Sequence, residues 1–142
     1  MLGCNPAYTA LIGVDIANLD SEHCNCLYLA LTNSEWRERT LDYEELLPRM
    51  VAMFRSAMAG HEDDPRWKSR LQCYMNMSPV FQEIWQRYQV CGIENQLKRF
   101  MHPVMGGFTL QQINWWSEPK GGNRMVVYLP VDDFGREVLA GC

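Results

Sequence analysis

The stretch GGFTLQQINWW, residues 106–116, decides the fold. Phe108, Leu110 and Gln112 alternate with Thr109, Gln111 and Ile113. Period two is the signature of a strand, whose successive side chains point to opposite faces. Outward from it, Met125, Val127 and Leu129 alternate with Val126 and Tyr128 in RMVVYLP, residues 124–130. SEPKGGN, between the two runs, is rich in turn residues, which predicts a hairpin. An earlier strand is expected around residues 98–101, joined through a tight turn at Gly106-Gly107. These runs make an antiparallel sheet of three strands.

The first half of the chain has a different period. SPVFQEIWQRYQV, residues 78–90, opens with a Ser-Pro start and then places Phe81, Ile84, Trp85 and Tyr88 at helical spacing. DDPRWKSRLQCYMN opens the same way, with Asp64 as cap, Pro65 following, and Trp67, Leu71 and Met75 inward. LDYEELLPRMVAMFRSAMAG is the longest helical pattern, with Leu47, Val51, Phe54 and Met58 on one face and Gly60 as its stop. Pro48 interrupts it, so the helix either starts near Leu47 or kinks there. NPAYTALIG predicts a short helix from Asn5-Pro6 with Tyr8, Leu11 and Ile12 apolar, ended by Gly13. DSEHCNCLYLALTN predicts a helix capped by Asp20 or Ser21, and VDDFGREVLAGC predicts a closing one. The fold class is α+β: helices first, then a sheet that buries one face against them. A length of 142 residues suits one domain.

Composition narrows the function. Thirteen basic residues against seventeen acidic ones give a net charge of −4, which argues against a basic nucleic-acid footprint. No apolar run approaches the ~20 residues of a membrane span, and the N-terminus lacks the layout of a signal peptide. A cytoplasmic protein without membrane partners is expected. The cysteines are scattered, and the His23-Cys24-x-Cys26 cluster has no second couple to complete a zinc site. Reduced, largely buried thiols and no metal are expected. Nine Met and five Trp suit either an irregular core or an adaptable apolar cavity.

Catalytic constellations are not evident. The sequence carries no phosphate loop, nucleophile elbow or His-Glu-x-x-His motif. Asp63-Asp64 reads as a helix cap rather than an acid–base pair, because Pro65 follows it. No catalytic residue is assigned, and no enzyme is expected. Three polar residues stand among apolar ones. His102, held extended by Pro103, either bonds a backbone carbonyl at a strand end or donates to a ligand headgroup. Arg55 either pairs with Asp63 or Asp64 to pin a loop, or receives a carboxylate. Tyr88 closes the aromatic face of its helix. Trp115 and Trp116 are expected to split, one buried and one exposed.

The ordered set of motifs resembles the ligand-binding domain of MmyB-like transcription regulators. Asp42, Tyr43, Glu44 and Glu45 match the start of a family helix that leads to Phe54 and Arg55. Asp63, Asp64 and Pro65 follow, then Ser78, Pro79, Phe81 and Trp85, then His102, Pro103 and Gly106, then Val126, Val127 and Tyr128. Asn25 and Arg37 fit an upstream helix, and LGCNPAY resembles the end of a strand in PAS-type domains. Tyr43 stands where the family usually has Trp.

The resemblance implies a PAS-like fold around an apolar cavity, a fatty acid or similar small apolar ligand, and no other cofactor. It implies transcription regulation, with DNA contacted through a helix-turn-helix domain that these residues do not include; the family's first strand is not among them either. The cavity wall expected on this basis joins Met50, Val51, Phe54, Phe81, Ile84, Trp85 and Tyr88 to Phe108, Leu110, Met125 and Val127, with Arg55, His102 and Tyr88 as its polar groups. The rival reading is a homodimerisation module with a filled core, joined through a sheet edge and Trp115 or Trp116.

Overall fold

The computed structural model describes residues 3–20, 23–61, 63–90, 92, 94–118 and 123–141. Seven α-helices and a three-stranded antiparallel sheet stand among them, so the protein is α+β. The chain divides into two compact units.

The helical unit contains α2 (Cys26–Thr32), α4 (Tyr43–Met58), α5 (Pro65–Met77) and α6 (Pro79–Gln86). Caps set its boundaries. Asn25 Oδ1 accepts from Tyr28 N–H at 2.7 Å and starts α2. The predicted start at Asp20 is too early, because the Asp20 carboxylate accepts from the His23 amide and imidazole instead; Ser21 lies outside the described residues. Asp64 caps α5 by accepting from Arg66 N–H at 2.9 Å, with Pro65 first in the helix. Ser78 ends α5 and starts α6. Its own N–H donates to the Tyr74 carbonyl, and its Oγ accepts from Phe81 N–H at 3.1 Å.

Helix α4 begins at Tyr43 and carries Pro48 inside it, which removes the later start at Leu47. The carbonyl that loses its partner to Pro48 belongs to Glu44, an exposed residue that water can serve. Helix α6 stops two residues before Tyr88, whose φ of 54° is left-handed, so Tyr88 leaves the helical face.

The sheet unit contains α1 (Pro6–Ile12), a 3₁₀ turn (Ile16–Asn18), α3 (Ser34–Glu38), β1 (Gln96–His102), β2 (Gly106–Trp116), β3 (Arg124–Pro130) and α7 (Asp133–Ala140). Among the described residues before Pro6 there is no strand, contrary to the PAS-type reading of LGCNPAY. Asn5 Oδ1 caps α1 instead, at 3.0 Å from Tyr8 N–H, and Gly13 ends it with φ 70°. Helix α3, with Trp36 buried, carries too few residues to show a period.

Strand β2 is central, with β1 and β3 antiparallel on either side. The β1–β2 turn is Pro103–Met105, with Gly106 already opposite His102 and Gly107 within β2. Gly106 supplies φ 88° for the turn. The β2–β3 hairpin forms as predicted, closed by Ser117 N–H on the Asn123 carbonyl at 2.9 Å; residues 119–122 of its turn lie outside the described residues.

The register sorts the sheet into two faces. Directly opposed residues share a face. Phe108 faces Phe100, and Gln112 faces Tyr128, so these residues and Leu110 line the first face. This face is buried at Phe100, Phe108, Leu110 and Gln112. Tyr8 of α1 stacks on Tyr128 with centroids 5.7 Å apart, and Gly135 of α7 lies against Pro130. The buried Gln112 amide is satisfied, donating to Asn114 Oδ1 and accepting from the Tyr128 hydroxyl.

Ile113 faces Val127, and Trp115 faces Met125, so this set lies on the second face. The expected grouping of Met125 and Val127 with Phe108 and Leu110 therefore fails. Period two gives two faces per strand, and only the pairing says which faces coincide. Met125 is exposed and Val127 half-buried. Trp115 and Trp116 are both exposed rather than split, because they lie at the hairpin end of β2.

The outer edge of β1 is covered. Leu41 N–H donates to the Arg99 carbonyl and Met101 N–H to the Arg39 carbonyl. Asp42 accepts from Arg99 N–H and from its guanidinium. These bonds occupy ladder groups that would otherwise recruit another strand.

Candidate functional site

The helical unit assembles an aromatic cluster around Phe54. Its ring lies 5.5 Å from Trp67, 5.3 Å from Tyr74, 6.3 Å from Phe81 and 5.9 Å from Trp85. Phe81 and Trp85 stack, with centroids 5.6 Å apart. These are favourable ring separations, each contributing about 0.5–1.5 kcal/mol beyond burial. Helical spacing explains the convergence: Phe54 is on the last turn of α4, and Phe81 and Trp85 are four residues apart on α6.

Arg55 stands at the margin of this cluster. Its guanidinium lies 3.8 Å from the Trp85 ring centroid and 4.8 Å from that of Tyr88. Its Nη2 donates to the Trp85 carbonyl, near the end of α6. A cation at a helix C-terminus meets unpaired carbonyls and the negative end of the helix dipole. The expected pairing of Arg55 with Asp63 or Asp64 does not form. Asp64 is taken by Arg66, whose hydrogen bonds hold its carboxyl at a pKa of about 2. Among the described residues, no carboxylate pairs with Arg55. The arrangement is a packed aromatic cluster, with Phe81 and Tyr74 buried and Phe54 and Trp85 half-buried, and the Arg55 cation at its margin.

The remaining expected residues divide. Val51, Phe81 and Ile84 are buried, while Met50, Phe54, Arg55 and Trp85 are half-buried. Tyr88 is 78% exposed, its ring against Arg55 rather than in a core. Phe108 and Leu110 are buried on the first face of the sheet. His102 organises the β1–β2 turn: Nδ1 accepts from Met105 N–H at 3.1 Å and Val104 N–H at 3.3 Å. The expected bond to a carbonyl is replaced by bonds from two amides.

Tyr74 is the residue that the sequence reading passes over. It is buried, and its hydroxyl donates to Asn25 Oδ1 at 3.0 Å, tying α5 to the cap of α2. Burial pushes its pKa up. Its signal was present, seven residues after Trp67, but Met75 competes for the same face. Among the described residues the cysteines also differ from expectation, since Cys4 and Cys73 are exposed, Cys26 is half-buried and Cys24 is buried. Among the described residues, no cluster suited to a metal ion occurs, and no helix is long and apolar enough to cross a membrane.

A family model described as the MmyB-like transcription regulator ligand binding domain matches residues 1–140. No curated protein matches the chain.

Proposed function

The chain belongs to the family of MmyB-like transcription regulator ligand-binding domains, and on that premise we propose that its ligand is a fatty acid or similar amphiphile held by the helical unit. The observation that carries this reading is Arg55, a cation beside the half-buried Phe54 and Trp85 rings, with no carboxylate paired to it among the described residues. An acyl chain against the half-buried rings of Phe54 and Trp85 gains about 0.8 kcal/mol for each CH₂ removed from water. Its carboxylate takes guanidinium donors that the Trp85 carbonyl leaves unused.

Regulation follows from the same contact. Arg55 joins α4 to the end of α6, so a carboxylate that draws on the guanidinium changes how firmly that helix end is held. A ligand shifts a conformational equilibrium only through such differential contact. DNA binding belongs to a helix-turn-helix domain acting with this one in the cytoplasm. The domain binds without catalysing, so acyl esters are hydrolysed at the background rate, equally by the parent and His102→Ala.

Mass spectrometry tests the ligand. Native spectra of the purified protein, followed by organic extraction, should release a stoichiometric acid, or the protein should take one up from a panel of C8–C18 acids. Arg55→Gln should weaken binding of acids at least tenfold while sparing the matching alcohols, a loss of about 1.4 kcal/mol. A clean mass unchanged by the whole panel would refute the proposal.

A further inference from the structure

The second face of the sheet is apolar and open. Leu97 is 60% exposed, Trp115 62%, Met125 55% and Leu129 45%, with Ile113 and Val127 half-buried between them. Of its own unit, α1 and α7 lie against Tyr128 and Pro130 on the first face, and the Leu41 side chain lies by Gly107, at the end of the second face away from Trp115.

We propose that this face is where a second copy of the chain docks, sheet against sheet. Three features select a second copy. The first is area. The exposed part of these side chains is on the order of 500 Å², at the upper end of what monomers leave open. Two such faces bury about 1,000 Å² together, the threshold of a specific interface.

The second is charge. Among the described residues the face carries one charged residue, Arg99, whose guanidinium is already on Asp42 at the β1 edge. Self-pairing brings no like charges together, and the face offers no electrostatic hold to a nucleic acid or a strongly charged protein.

The third is symmetry. Along β2, Gln111 lies in a row with Leu97 and Leu129, Ile113 with Val127, and Trp115 with Met125. A two-fold axis at the Ile113 row, perpendicular to the strands, sets the Trp115 row of one copy over the Leu97–Leu129 row of the other. Rows two residues apart are about 7 Å from each other, so the match holds on both sides of the axis. Each Trp115 then fills the space between two leucines, a large aromatic anchor of the kind that dominates interfaces.

This inference does not rest on the ligand reading, and either can fail alone. Sedimentation equilibrium of the 142-residue chain tests it without added ligand. A reversible dimer is expected. Trp115→Glu and Leu129→Glu should each raise its Kd at least tenfold. Val80→Glu, an exposed change on α6, should leave the Kd alone. Far-UV circular dichroism and melting report whether each variant keeps its fold. Met125→Lys replaces any that does not. A wild-type chain that stays monomeric at about 100 μM, well above a micromolar Kd, overturns the proposal. So does a dimer indifferent to the folded variants.

Discussion

At the residue scale, polar contacts do more here than their exposure suggests. Asp42 is 23% exposed and accepts three hydrogen bonds from Arg99, across 57 residues of sequence. Those hydrogen bonds hold its carboxyl below the ordinary value, against a smaller opposing effect of burial. A carboxyl depressed in the folded state contributes stability that is present above the unfolded value near 4 and lost as pH falls through the folded one. Asp42→Asn should therefore cost about 1 kcal/mol at neutral pH, a modest figure because Arg99 is 60% exposed. That cost should shrink toward zero as pH falls through the lowered folded value. Urea denaturation of both proteins across the acid range checks it, and a cost independent of pH would show that the lost stability is not electrostatic. None of this was legible from DYEELL, where Asp42 read as the start of a helix motif.

At the scale of elements, the most economical device is Ser78. It is buried, closes α5 and opens α6 within one residue. The Ser-Pro pair announced half of this role in the sequence, since a small hydroxyl before Pro is a helix start. Ser78→Ala keeps the backbone bond to Tyr74 and loses the one to Phe81 N–H. The expected loss is about 1 kcal/mol, and thermal melting of the variant measures it. No loss would show that the α6 start is held by packing alone.

The strands teach a different lesson. Their period was legible, and so was their pairing into a hairpin. Which side of β3 would join Leu110 was not. Hydropathy favoured Met125, Val127 and Leu129, yet the register gives Tyr128 and Pro130 to the buried face. A hydroxyl on Tyr128 bonded to Gln112 lets that face keep a polar pair in the core. The more apolar set is left on the other face, with Met125 and Leu129 exposed.

At the scale of the whole molecule, binding and stability are linked. A ligand that binds the folded chain alone stabilises it by RT ln(1 + [L]/Kd), about 2.7 kcal/mol at a hundredfold excess over Kd. For a chain of this length that corresponds to a rise in Tm of several degrees. Calorimetric scans with a saturating C8–C18 acid should show it for the parent, and Arg55→Gln should show less than half. An equal shift in both would place the carboxylate away from Arg55.

The sequence by itself determined the class of the fold, the caps that start α1, α5 and α6, and the family to which it belongs. Those depend on local rules: a period of two or near 3.6, a side chain that bonds an amide three residues on, a proline at a helix start. They also depend on motifs in a set order, and all of these are written in consecutive residues. Tertiary structure decided the rest, because its terms are long-range. Strand register selects which face of β3 meets the core. The Arg55 guanidinium is placed by Trp85, thirty residues away, and not by the nearer aspartates. A side chain's partner across such a distance is set by packing geometry, which no local window of the chain contains.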